Sequence, residues 1–463
     1  MRKYFIFLVM GVACTPQKQL IDHKPSNVKP KPTESSPNKS AKIDTVHWKD
    51  VTKTDPKTTA SNPTENKTTS TDKKPDDKVV IAEKKIGFPS LKKQNKSSNS
   101  LDILAMIPFK TNEFDSLQNK LPAGSQRFIQ FYAGAKMAIE EMKLEGGKKV
   151  KLQVLDAQSK DPINDILPNM ETIAPHVIIG PYKAEHLKSC AEWAKRNETI
   201  LISPWISSST IADDNPFYIQ AKAGLTTHYK AINDHARANF NIKNIILVSK
   251  TQEDSKGRYF NDTTLYSQRI TEKTISEDDL SNSQNPVLTP ILLNEGPTVF
   301  ILPLGSSKDE NYIYQFLRRV SLEKGTKEVI VYGMYKWIEL KSDILDYINT
   351  QKIRLSISNY FDPESAEVRN FKKKYFNEYR EFPSEEALEG YDLMKYVIRG
   401  SRNGEHPFHW NKTLPNYNYL ETQFQIVPVY KTKKKQELEA ADYFENSFVK
   451  IVEIRSNRYR VLD

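Results

Sequence analysis

From residue 101 to the C-terminus, short apolar runs alternate with helical patterns, and that rhythm limits the fold more than any other feature. Strands are predicted at 103–108, 149–156, 177–180, 200–203 and 217–220, then at 244–250, 298–304, 328–333 and 353–358. Between them lie helical patterns at 127–144, 185–197, 226–239, 310–323, 337–349, 366–379 and 384–400. The first of these places Phe128, Phe131, Ala135, Ala138 and Met142 near helical spacing. Stretches 424–428 and 448–462 read as added strands, and 431–439, charged throughout, as an exposed turn. Strands followed by helices over short links imply parallel sheets wrapped by helices. Two such blocks predict an α/β fold of two lobes with a cleft between them. The first lobe is expected over about 101–230 plus 384–400, the second over about 240–380, with added strands at 424–463.

The preceding residues have a different character. Arg2 and Lys3, an apolar run from Tyr4 to Val12, then Ala13 form the pattern of a secretory signal, too short to span a bilayer. A cysteine directly after the small residue resembles the bacterial lipoprotein signal, which implies that Cys14 is lipidated; Gly11 stands where that signal prefers Leu. The alternative is an ordinary signal with a chance cysteine. Residues 15–98 hold nine prolines and one glycine, with Trp48 and Phe88 their only aromatics, too little apolar surface to offset chain ordering. Such a linker spans roughly 50 Å on average and about 280 Å when stretched. Thr15 after Cys14, with no Asp and no acidic run, points to the periplasmic face of the outer membrane.

The net charge of +10 belongs to this linker, which carries 18 lysines against 10 acidic residues. Residues 99–463 hold 48 basic and 48 acidic side chains, so the folded part offers no electrostatic footprint for a nucleic acid. With Cys14 lipidated, Cys190 has no disulfide partner, and its helical setting predicts a buried, unreactive thiol.

Several fragments, in order, resemble the type I periplasmic binding proteins of the branched-chain amino acid class. Strand 103–108 leads to Gly134-Ala135-Lys136-Met137-Ala138-Ile139 on a helix. Val154-Leu155-Asp156, Asp161-Pro162, Ile178-Ile179-Gly180-Pro181 and Ile202-Ser203-Pro204 follow. Phe371, Tyr375, Phe382-Pro383, Ala387 and Gly390-Tyr391-Asp392 match the closing helices. The resemblance covers roughly 101–400 and implies two α/β lobes joined by three crossovers, with ligand held in the cleft.

Ligands of open parallel sheets bind beyond the carboxyl ends of the strands. Those ends are loops 109–125, 181–185, 204–210, 251–259, 305–307 and 334–336. Ser207, Ser208, Ser209 and Thr210, at a predicted helix start, offer hydroxyls and N–H groups for a carboxylate or sugar, and Trp205 a flat face. The alternative is that these hydroxyls only cap that helix. Tyr182, Lys183 and Tyr335 complete the candidate ligand-binding set. Against the family's pattern, Tyr182-Lys183-Ala184-Glu185 replaces a Ser/Thr cluster, bulky Trp205-Ile206 replaces Gly-Ala, and the second-lobe Tyr-Gly loop is missing. These departures alter or fill an amino-acid pocket.

No catalytic constellation is present. His228 and His235 lie seven apart, and His406 and His409 lack further ligands, so neither a metal nor a cofactor is expected. The primary expectation is a non-enzymatic, lipid-anchored, extracytoplasmic solute-binding protein, linked to ABC transport, that closes two lobes on a small polar ligand such as an amino acid. The alternative is a cell-envelope scaffold or regulator, for example of peptidoglycan synthesis, that kept the fold, lost the small-molecule pocket and binds an envelope protein partner.

Overall fold

The computed structural model describes residues 100–462, apart from 119, 145–148, 158–161, 253, 255, 283, 341, 401–418, 439–440 and 456–457. Cys14, the linker 15–98, Asp161, His406 and His409 lie outside the described residues.

The chain runs in four legs. The first comprises β1 (Ser100–Ile107), α1 (Ser125–Leu144), β2 (Lys149–Asp156), α2 (Pro162–Ile173), β3 (Val177–Ile179), α3 (Ala184–Arg196), β4 (Ile200–Ser203) and β5 (Tyr218–Gln220). After crossing to the second lobe come α4 (Leu225–Asn239), β6 (Ile245–Ser249), α5 (Gly257–Phe260), β7 (Thr271–Thr274), α6 (Glu277–Ser281), β8 (Thr298–Ile301), α7 (Glu310–Glu323), β9 (Val329–Met334), α8 (Ser342–Thr350) and β10 (Lys352–Ile357). A second crossing returns to α9 (Ala366–Tyr379), α10 (Glu385–Gly400), β11 (Ile426–Val429), α11 (Lys433–Glu437) and β12 (Tyr443–Asn446). A third delivers β13 (Lys450–Arg455) and β14 (Arg458–Leu462) to the second lobe.

Each lobe is built on a seven-stranded sheet, ordered β11-β12-β5-β4-β3-β1-β2 and β14-β13-β10-β9-β8-β6-β7. Pairings are parallel except β11–β12, β10–β13 and β13–β14. The alternation of β1 shows why its run from Ile103 to Ile107 is apolar: Ile103, Ala105 and Ile107 join the core on one face, Leu104 and Met106 the core on the other. Cys190 belongs to the latter core, 3.9 Å from the Met106 sulfur, and burial lifts its thiol pKa to about 12.

Four local expectations differ from the structure. The 337–349 helix starts later, at Ser342, because Trp337 is drawn fully into the core and donates Nε1–H to the Leu304 carbonyl at 2.6 Å. Strand β7 is exposed throughout and β12 reads Tyr-Phe-Glu-Asn, so neither carries an apolar run. The charged 431–439 turn contains helix α11, capped by the Thr432 side chain. Helix α4 packs Tyr229, Ile232 and Ala236 into the second-lobe core, while Val368, Phe371 and Tyr375 of α9 enter the first. The first crossing therefore precedes residue 225, and α9 belongs with the first lobe rather than with the span 240–380.

Helices α1 and α10 touch at two glycines. A Cβ on Gly134 would lie 1.9 Å from the Ala387 carbonyl oxygen, and one on Gly390 2.0 Å from that of Phe131. Both obstacles are backbone, so the helices must separate to admit a methyl group. Gly134→Ala or Gly390→Ala is expected to cost about 1–3 kcal/mol by overpacking, measured by urea denaturation. Leu322→Ala, at a site 66% exposed, is expected to change stability by less than about 0.5 kcal/mol.

Candidate functional site

The carboxyl ends of the first-lobe strands meet an aromatic cluster. Trp205, beyond β4, has its ring 5.0 Å from Phe131 and 5.3 Å from Phe128 on α1. Tyr182, beyond β3, lies 6.0 Å from Trp205 and 5.1 Å from Phe128. The Arg127 guanidinium covers Phe128 and Tyr182 at 4.6 and 4.9 Å. Gly180 admits this arrangement at φ +86°, since a Cβ there would come within 2.5 Å of the Met106 carbonyl oxygen and 3.1 Å of the Trp205 ring. Trp205 thus leans back on α1, half-buried, with its Nε1 enclosed and unpartnered.

The hydroxyl loop is arranged otherwise than expected. No helix begins at Ser207–Thr210; the chain between β4 and β5 is irregular, so both the helix-start N–H groups and the capping role are absent. Ser208 Oγ lies 2.9 Å from Thr210 Oγ1 and accepts the Thr210 N–H at 3.3 Å. Ser207 and Ser208 are half-buried and Ser209 is exposed. Lys183 is exposed at the start of α3 and makes no side-chain cap bond.

Tyr335 is separated from that set. It lines a groove of about 650 Å³ between the lobes. Ile357, Arg458 and Tyr459 of the second lobe form one wall with it. The crossing Asn359–Glu364 supplies the floor, and Lys372 of α9 and Glu385 of α10 the first-lobe side. Its size falls within the roughly 300–1,000 Å³ of small-ligand sites. Tyr360 and Tyr459 meet edge to face at 5.9 Å, and Lys372 Nζ lies 5.1 Å over Phe361. Apart from Tyr335, sequence reasoning missed this site. Its signal was Tyr360-Phe361-Asp362-Pro363 directly after a strand, a carboxyl-end loop beyond those considered.

Beside the groove the chain crossings hold charge. Lys222 Nζ on the first crossing lies 3.1 Å from Glu389 Oε1 on α10. Burial works against the Lys222 ammonium, but Glu389 and Glu421 outweigh it and raise its pKa. Buried Asp392 accepts N–H groups from Leu420, Glu421 and Thr422 at 2.9, 2.7 and 3.4 Å. Burial dominates, and its carboxyl is pushed up to about 7. Glu389 and Glu421 are likewise raised by burial.

The second-lobe histidines serve packing. His228 Nδ1 meets Ser356 Oγ at 3.1 Å and His235 Nδ1 meets the Tyr332 hydroxyl at 2.7 Å. Among the described residues no group of three or more His, Cys, Asp or Glu is placed to hold a metal.

The Asp392 shift has a measurable sign. Between about pH 4 and 7 the folded carboxyl keeps a proton that the unfolded chain releases, so stability falls as pH rises across that window. His228 and His235, lowered to about 4 chiefly by burial, act oppositely over part of it, so the variant-minus-wild-type difference isolates Asp392. Asp392→Asn is expected to gain on wild type by about 1.4 kcal/mol per pH unit between about pH 4.5 and 6.5 in urea denaturation. A difference independent of pH contradicts the assignment.

No protein-family profile matches this sequence, and no curated protein does. Solved structures do. An ABC transporter substrate-binding protein from Desulfitobacterium hafniense aligns at 13% identity, over 78% of this chain and 100% of that one, with a TM-score of 0.50. A branched-chain amino acid ABC transporter periplasmic ligand-binding protein from Burkholderia xenovorans LB400 aligns at 14% identity, over 79% and 94%, with a TM-score of 0.50. The LpoA protein of Haemophilus influenzae aligns at 11% identity, over 79% of this chain and 60% of that one, at 0.48. Two mostly parallel, helix-flanked sheets crossed three times by the chain give this protein the two-lobed fold of the type I periplasmic binding proteins.

Proposed function

We propose that this chain is a non-catalytic extracytoplasmic binding protein that takes a small polar ligand in the interlobe groove of Tyr335, Tyr360 and Tyr459. One observation carries this reading: both lobes and a chain crossing line the same groove of about 650 Å³. A ligand there touches surfaces that move relative to one another when lobes close, so its contacts favour one interlobe angle. The first-lobe position where the resemblance implies Gly-Ala is instead held by Trp205 against Phe128 and Phe131. The ligand is therefore a different one from an aliphatic amino acid seated there. The test is a thermal-shift screen of amino acids, amines, sugars and cell-wall fragments. A ligand at a hundred times its Kd adds about 2.7 kcal/mol, a rise in Tm of about 2 °C or more. Tyr335→Ala and Tyr459→Ala are expected to abolish the rise while Trp205→Ala keeps it. Loss of the rise in Trp205→Ala alone rejects the groove.

A second reading keeps the fold and binds a protein partner in place of a small ligand. It is favoured by the same aromatic filling and by exposed Phe114, Leu117 and Leu121, at 42, 97 and 46%, on the loop after β1. Recovery of an envelope protein with the full-length chain, lost on Leu117→Asp, supports it.

No helix among the described residues is long and apolar enough to cross a membrane, so membrane attachment in this proposal rests on a lipid at Cys14. Cys14→Ser is expected to move the protein from the membrane fraction to the soluble fraction and to end fatty-acid labelling; unchanged fractionation contradicts the anchor.

A further inference from the structure

A second, smaller cavity adjoins the groove. Asn359 borders both the groove and this cavity of about 10 Å³, which is lined also by Lys222, Glu389 and Glu421. That volume admits one water-sized group. Glu421 is 4% exposed, and its Oε2 is enclosed without a hydrogen-bond partner. A buried carboxyl oxygen left unpaired is costly, so this atom marks where a hydrogen-bonding partner belongs. The charges facing Glu421 are uneven. Glu389 and Asp392 on α10 and Glu385 at its start oppose Lys222. The Lys222 ammonium is already engaged with Glu389 at 3.1 Å. In the groove itself Asp362, Glu364 and Glu385 outnumber Lys372 and Arg458, and the tyrosine rings offer faces to a cation.

Resting on the groove as the binding site, we infer that the ligand carries a primary amine, whose ammonium is the size of one water, that is seated beside Asn359 and donates to Glu421 Oε2. The rest of the ligand lies among Tyr335, Tyr360 and Tyr459, with Glu385 at the rim as a second acceptor. Burial holds the Glu421 carboxyl well above the usual carboxylate range, so an arriving cation displaces its proton. Binding is then accompanied by proton release, read as a heat that depends on buffer ionisation.

The experiment is calorimetry of the full chain with agmatine and cadaverine, alongside 1,5-pentanediol, glutarate and glucose, in two buffers of different ionisation heat. Binding of agmatine or cadaverine with proton release, weakened about tenfold or more by Glu421→Gln, is the expected result. Glu385→Gln, exposed and separate from the core, is expected to weaken it less and guards against a folding failure of the buried variant. Circular dichroism melts confirm that both variants fold. Cation binding unchanged in both variants overturns the inference, as does silence of both cations. Binding of pentanediol, glutarate or glucose that Tyr459→Ala abolishes, with the cations silent, overturns the inference and leaves the groove standing as the site.

Discussion

Asn446 ties together chain segments that lie far apart in sequence. Its amide nitrogen donates to the Ala221 carbonyl at 3.2 Å, on the first crossing between lobes. Its amide oxygen accepts the N–H of Gln425, before β11, at 2.9 Å and that of Phe448, on the third crossing, at 3.2 Å. The second crossing is drawn in by the Tyr360 N–H to the Glu421 carbonyl at 2.9 Å and by Thr422 Oγ1 to the Ser358 carbonyl at 3.2 Å. A side chain 1% exposed thus holds two crossings and the approach to β11, and the groove and charged cavity sit beside that junction. Neither sheet is complete without the C-terminal part of the chain, because β12 and β11 extend one and β13 and β14 the other.

This arrangement separates two regions that the resemblance treats as one site. The first-lobe loops end in packed aromatic rings, with Trp205 leaning on α1 where small residues were implied. The open volume lies instead where the second crossing passes between the lobes. That volume is lined by tyrosine faces and by three carboxylates against two cationic side chains, a chemistry that the proposed function matches to a polar ligand rather than an aliphatic side chain.

The architecture was readable because parallel strands buried on both faces need continuous apolar runs, as in β1, β4 and β9. Two strands escaped that signal: edge strand β7 has no buried residue, and β12, between β11 and β5, carries Glu445 and Asn446 inward, where they serve the crossings. Helix ownership was equally hidden, since α4 and α9 each follow a strand of one lobe and pack in the other. At the candidate site Trp205 was legible as a departure, but the direction of its ring depends on space left by Gly180, which only packing reveals. Tyr335 was legible as a carboxyl-end residue. Its partners Tyr360 and Tyr459 lie 25 and 124 positions further on and meet it only through the crossings.

The most direct test is a crystal structure of the protein with a solute that raises its melting temperature. The account predicts electron density for that solute between Tyr335, Tyr360 and Tyr459, with the lobes contributing from both sides. Density seated against Trp205 at the ends of β3 and β4, with the tyrosine groove empty, contradicts it.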